Sequence, residues 1–393
     1  MRLERTLRRP NFNVSGGRLT IPTHPAFATM EDIQPAASLL DEVNPFGTLE
    51  AVVLDDDRTV YLQLFSPAER RFVTAVWLAN RIPGPETFDI EGMRQGLPPL
   101  MIKRACRHPD GSPPFDPSKL SVVWFEQGDG VVLYNGDDMI GVIPPWSGRE
   151  GFMGHSAGVL EETPFAWPLS DEAKSTFEER AAKSKAYWDV RFTEGDWATL
   201  QDKGVDFLES RLGAHRRYWA IDGGKFPPMA VALFRPTAYP DIAIYSTIGM
   251  SAQPMPKVEM AYEDPGLFQR VELAIATFGE QDWAPRLLSS LAGYPWSSLS
   301  WLGEGHTMRY NSGSVAAVLM TAKPPDTVLG SILKRRSVSP PNLSGLVDRS
   351  GDPVNVLWVL PISTQEQTLA ELNGTSTVVA ALSKQGRGWV CRP

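Results

Sequence analysis

The sequence predicts an α+β protein of two domains: a mainly antiparallel β N-terminal domain, a helical linker and an α+β C-terminal domain. Three observations carry that expectation. At 393 residues the chain exceeds what one hydrophobic core usually supports, so it should divide. Near residue 170 the hydrophobic pattern changes from strand alternation to helical spacing. Finally, Val354 to Ile362 (V-N-V-L-W-V-L-P-I) is apolar on both faces at strand length, the mark of a strand covered on both sides.

Residues 1–43 mix Arg, Pro, Gly and polar residues without a sustained period and are expected to be a poorly ordered lead-in. The N-terminal domain then spans 44–169. L-E-A-V-V-L, D-D-D-R and T-V-Y-L-Q-L-F read as strand, turn and strand, with Asp55, Asp56 and Asp57 as a solvated hairpin tip. Phe72–Leu78 follows as a third strand. Ser121–Phe125 and Gly130–Tyr134 flank a Gly-containing turn, and M-I-G-V-I is the next strand before Pro144, Pro145 and Trp146 interrupt it.

The helical linker is expected over 170–214. Ser170 caps a segment with Asp171 and Glu172 in its first turn, where carboxylates suit the positive end of the helix dipole. Phe177, Ala181 and Trp188 define its apolar stripe, and Trp197, Leu200, Leu208 and Leu212 define that of a second helix starting at Asp196 and ending near Gly213. Residues 215–393 form the C-terminal domain, with strands at 229–234, 242–248, 271–278, 307–310, 315–321 and 354–362 and a helix at 282–291. A Pro- and Ser-rich insertion at 337–343 follows Lys334, Arg335 and Arg336. Pro361 is expected to stop the last ladder, and Thr364 with Gln367 has capping-box spacing.

Composition narrows the function classes. The formal net charge of −8 disfavours nucleic acid or an anionic membrane as the main partner. No apolar run approaches membrane-span length and no secretory signal is visible, so a cytoplasmic location is expected. Cys106 and Cys391 make no disulfide framework. The five histidines, His24, His108, His155, His215 and His306, are scattered without zinc-ligand spacing, so neither metal nor cofactor is expected.

Catalytic signatures are equally thin. Gly249, Met250 and Ser251 begin a nucleophile elbow that Gln253 breaks. Cys106 with His108 is too close in sequence for a nucleophile and base, D-G-G-K at 222–225 reads as a tight turn, and so does Gly303–His306. The strongest polar cluster is His215, Arg216, Arg217, Tyr218 and Trp219. Two arginines beside two aromatics suit a carboxylate and an apolar surface, either on a partner or as a clasp between the two domains. With His306 these are the candidate partner-binding residues; no residue is assigned to catalysis.

Several segments together resemble the suppressor of fused family, in particular its bacterial members. They are D-I-A-I-Y-S-T-I-G-M-S at 241–251, R-V-E-L-A-I at 270–275, the 283–295 segment ending L-A-G-Y-P, G-E-G-H-T at 303–307, A-V-L-M-T-A-K-P-P at 317–325, and the final strand and helix. The resemblance implies a non-enzymatic protein-binding protein: animal members sequester transcription factors through an extended peptide, and bacterial members are regarded as immunity proteins that neutralise toxin domains. Strand addition is the mode it suggests. Where animal members carry acidic residues after the strand at 315–321, this chain has Ala322, Lys323 and Pro324, so an acidic pocket for a His-bearing ligand is not implied. The alternative is a hydrolase or transferase with an inter-domain cleft, using His215 or His306 with Asp222 or Glu304.

Overall fold

The computed structural model describes residues 37–312, 315–329 and 336–391. Most of the expected lead-in, together with Lys334 and Arg335, lies outside the described residues. Four antiparallel strands come first: β1 (Ala37–Val43), β2 (Glu50–Asp55), β3 (Thr59–Ser66) and β4 (Arg71–Asn80), in that spatial order. Residues 37–43, expected in the lead-in, are thus strand. β2 completes their ladder, and Leu39 and Leu40 pack on the first core. The acidic hairpin tip is used internally: Asp56 accepts the N–H groups of Arg58 and Thr59, and Asp55 pairs with Arg81 at 2.7 Å.

A short helix α1 (Ile90–Arg94), capped by Asp89, precedes a five-stranded sheet of β5 (Leu120–Trp124), β6 (Val131–Asn135), β7 (Asp138–Ile143), β8 (His155–Ser156) and β9 (Trp167–Pro168). Alternation along β6 sends Val131 and Leu133 into the core shared with the first sheet. Val132 points the other way, toward Phe177 and Ala181 of the first long helix.

That helix, α2 (Asp171–Arg191), is capped by Ser170, whose Oγ accepts the N–H of Ala173 at 3.2 Å. α3 (Asp196–Leu212) runs unbroken through Gly204 to Gly213. A Cβ on Gly204 would lie 3.1 Å from Ile248 Cγ2, so the missing side chain lets the helix lie close on the next sheet.

The C-terminal sheet starts with β10 (His215–Ala220), β11 (Ala230–Phe234), β12 (Ile242–Ile248) and β13 (Val271–Phe278). After α4 (Trp283–Ala292) and α5 (Tyr294–Ser297) come β14 (Thr307–Ser312), β15 (Val315–Thr321) and a small hairpin of β16 (Thr327–Leu329) with β17 (Arg336–Val338). The chain closes with β18 (Asn355–Ile362), α6 (Thr364–Asn373), α7 (Thr375–Lys384) and β19 (Val390–Cys391). The spatial order is β10-β11-β12-β13-β18-β15-β14, with β19 beside β13. β13 runs parallel to both β18 and β19; the other ladders are antiparallel.

Both faces of this sheet are covered. Leu273, Ile275, Leu357 and Val359 meet Leu287, Leu288 and Leu291 of α4 on one face. On the other, Ile244, Val356, Trp358 and Leu360 meet Leu208 and Leu212 of α3, Ala370 of α6 and Val378 of α7. Two expectations near the end of β18 are corrected. Pro361 lies inside the strand opposite Val318, because β13 pairs with β18 only as far as Trp358 and leaves the far side free of a donor requirement. The capping box is Ser363 with Glu366, one residue earlier than expected, and Gln367 is buried instead.

Candidate functional site

The expected partner-binding cluster is an edge strand. β10 is bonded to β11 alone, with a bulge between His215 and Arg217. Ile221 donates its N–H to Met229 O at 2.9 Å, so by alternation the N–H groups of Arg217 and Trp219 also face β11. Those of Tyr218 and Ala220 face the open side. Trp219 packs onto the α4 face of the sheet and Tyr218 onto the α3 face, while His215, Arg216 and Arg217 are exposed. Arg217 lies 3.5 Å from Glu280, and the buried Tyr218 hydroxyl has no hydrogen-bond partner. Burial pushes that phenol up to about 12.

His306 does not join this cluster. It precedes β14, at the opposite edge of the sheet, with its ring 4.1 Å from that of Trp301. Burial pushes its imidazole below the ordinary range. Glu304, its neighbour on the turn, instead accepts from Thr321 Oγ1 at 2.7 Å and from the N–H of Ala322 at 2.5 Å. Asp222 is equally occupied, accepting the N–H groups of Gly224 and Met229. His215 Nδ1 does approach a carboxylate, Glu209 at 2.6 Å, yet that pair sits on the exposed surface, away from a concave pocket. Cys106 is buried, hydrogen-bonded to Asn80 Nδ2 and Met101 O, and burial raises its thiol to about 11. A thiol held protonated in this way is a poor nucleophile.

The clasp between the two halves of the chain lies elsewhere than 215–219. Phe46, in the turn between β1 and β2, meets Trp188 of α2 at 5.7 Å, Phe226 at 5.5 Å and Trp296 of α5 at 5.8 Å between ring centroids. Arg180 of α2 grips Glu259 with two bonds of 3.0 and 2.9 Å, and the N–H of Lys257 donates to Asp129 Oδ2 at 3.0 Å. The aromatic and arginine pairing expected of a clasp is therefore present, carried by different residues.

Sequence reasoning missed a buried polar knot at the end of β12. Glu272, 4% exposed in the middle of the sheet, accepts from Thr247 Oγ1 at 2.6 Å, Gly249 N at 2.9 Å, Ser251 N at 3.0 Å and Ser251 Oγ at 2.7 Å. Burial raises its carboxyl above the usual range and outweighs those donors. Arg270, also 4% exposed, gives Nη1 to Ser251 O at 2.9 Å and pairs through Nε with Asp348 at 2.7 Å. Arg191 of α2 binds Asp196 and Gln253, and Arg349 joins Asp196 from the other side. The signal was present in the two resembling motifs, S-T-I-G-M-S and R-V-E-L, since a Glu and an Arg within an apolar strand require buried partners.

Among the described residues there is no group of three or more His, Cys, Asp or Glu that would hold a metal ion, and no helix long and apolar enough to cross a membrane. The family model described as suppressor of fused protein (SUFU) matches residues 225–393, which include Arg270 and Glu272 of the polar knot but not its Arg191 and Asp196, nor β10. Among solved structures, a SUFU homologue from Neisseria gonorrhoeae FA 1090 aligns over 49% of this chain and 94% of its own, at 14% identity and a TM-score of 0.33. A search of curated proteins finds no match. Residues 225–393 are thus similar to the suppressor of fused family and form a SUFU-like domain.

Proposed function

We propose that this protein binds a partner polypeptide without chemical turnover, and that an extended segment of the partner adds to the open edge of β10. The observation that carries the reading is that edge: one side of the strand is bonded to β11, while the outward N–H groups of Tyr218 and Ala220 face away from it. An unpaired edge is a ready template for another strand. Arg216 and Arg217 beside the bulge restrict indiscriminate pairing and favour a segment bearing carboxylates. The SUFU-like domain supports the reading, because the family binds protein partners.

The finer role we propose is that of a cytoplasmic immunity or regulatory protein whose partner is a toxin domain or an extended peptide. Residues 44–169 and 215–393 act as its two domains, joined by the helical segment 170–214. The hydrolase or transferase alternative has less support, since neither His215 nor His306 faces Asp222 or Glu304.

Ala220→Pro tests the strand edge, because proline removes one outward donor, is tolerated at sheet edges and here replaces an exposed methyl group. Capture of the native partner should weaken at least about tenfold, while the melting temperature stays near wild type. Capture unchanged in this variant would move the site away from β10. Turnover of ester or peptide substrates that is abolished by His215→Ala would reverse the non-enzymatic reading altogether.

A further inference from the structure

A cavity of about 290 Å³ lies against the polar knot, walled by α2, α3, the turn after β12, the start of β13 and the loop 346–350. It shares no residue with β10. Its apolar wall includes Leu200, Leu208, Ile248 and Leu346, and Val190 and Val347, 46% and 42% exposed, form the lip. Two guanidinium groups stand at the buried end, with side chains only 3% exposed at Arg191 and 4% at Arg270. The site is therefore apolar toward solvent and rich in guanidinium donors inside.

Both arginines keep donors in reserve. Arg191 gives its Nη atoms to Asp196 and to Gln253 Oε1, leaving Nε buried without a hydrogen-bond partner. Arg270 gives Nη1 to Ser251 O and forms an ion pair with Asp348, and its Nε too is buried without a hydrogen-bond partner. Glu272 on the same wall already receives four donors and does not supply the missing acceptor. A buried site with surplus donors calls for an acceptor-only group. Asp196 and Asp348 offset much of the positive charge, so a monoanion fits better than a phosphate dianion.

We propose that this cavity binds a carboxylate carried on a short branched apolar tail, with its oxygens at Arg191 and Arg270 and its tail along α3 toward the lip. The cavity lies at the small end of the range for ligand pockets, which suits a head and one aliphatic chain. Such chemistry belongs either to a free small acid or to the last residue of a polypeptide ending in an aliphatic side chain. The proposal is independent of β10, and an Ala220→Pro result leaves it untouched.

The test is calorimetric titration of the full chain with 4-methylpentanoate, its primary amide, a short peptide with a free C-terminal Leu, and the same peptide amidated. At least one free-carboxylate probe should bind saturably, with its amide at least about tenfold weaker. Val347→Trp, which closes the lip without touching the arginines, should abolish that binding; Arg191→Gln should weaken it about tenfold, and if that variant fails to fold the Val347 result decides. Binding of the acid alone identifies a small acid, and binding of the peptide alone identifies a chain terminus; either upholds the site. No binding up to about 10 mM, equal binding of acid and amide, or undiminished binding by Val347→Trp would overturn it.

Discussion

Glu272 shows how a single acid can be both expensive to bury and hard to remove. One of its oxygens receives three donors and the other receives the Thr247 hydroxyl. Glu272→Ala strands the two backbone N–H groups and should cost about 3 kcal/mol in denaturant unfolding. Glu272→Gln keeps an oxygen for the three donors and turns its amide toward a hydroxyl that is able to accept, so its loss should be about 1 kcal/mol. Equal losses would mean that charge, not hydrogen bonding, holds the knot together.

The histidines act in a different pH range. Burial depresses the imidazoles of His155 and His306 below 6.5. Below pH 6.5 the unfolded chain takes up protons that the folded chain still refuses, so this stability is complete above that value and is lost as the pH falls through the folded values. Melting temperatures measured between about pH 7 and pH 5 should therefore drop less steeply in a His155→Asn, His306→Asn double variant than in wild type. Parallel curves would remove both groups from the account.

At the scale of elements, legibility followed burial. β12, β13 and β18 were plain in the sequence because both faces of their sheet are covered and nearly every side chain is apolar. β10 was hidden for the opposite reason: an edge strand that opens with three exposed residues, His215, Arg216 and Arg217, has no hydrophobic alternation to read. α6 was found with its cap displaced by one residue, because Thr364 and Gln367 mimic the spacing that Ser363 and Glu366 actually use. Ser363→Ala should cost about 1 kcal/mol and raise amide exchange in the first turn of α6, whereas Thr364→Ala should leave both unchanged. The reverse result would restore the later cap.

At the scale of the whole molecule, the N-terminal sheets and the SUFU-like part meet through Phe46, Arg180 and the arc of α2. A Cβ on Gly128 would fall 2.4 Å from the Phe46 ring, so that glycine makes room for the insertion. Phe46→Ala should cost about 2 to 3 kcal/mol and broaden or split the calorimetric melting transition as the halves uncouple. A single sharp transition at an unchanged temperature would show that the contact carries little weight. The polar knot was the least legible feature, since Arg191 reaches Gln253 across 62 positions and Arg270 pairs with Asp348 much further along. Periodicity reports which face of an element is buried; it does not report which distant charges meet there.

The seam around Phe46 has an optical consequence. Trp188 and Trp296 are 8% and 2% exposed there, and the indole of Trp188 is anchored to Trp124 O at 2.8 Å. Any partner that pries the halves apart wets both indoles and shifts their fluorescence emission to the red. The chain thus carries its own label-free gauge of opening.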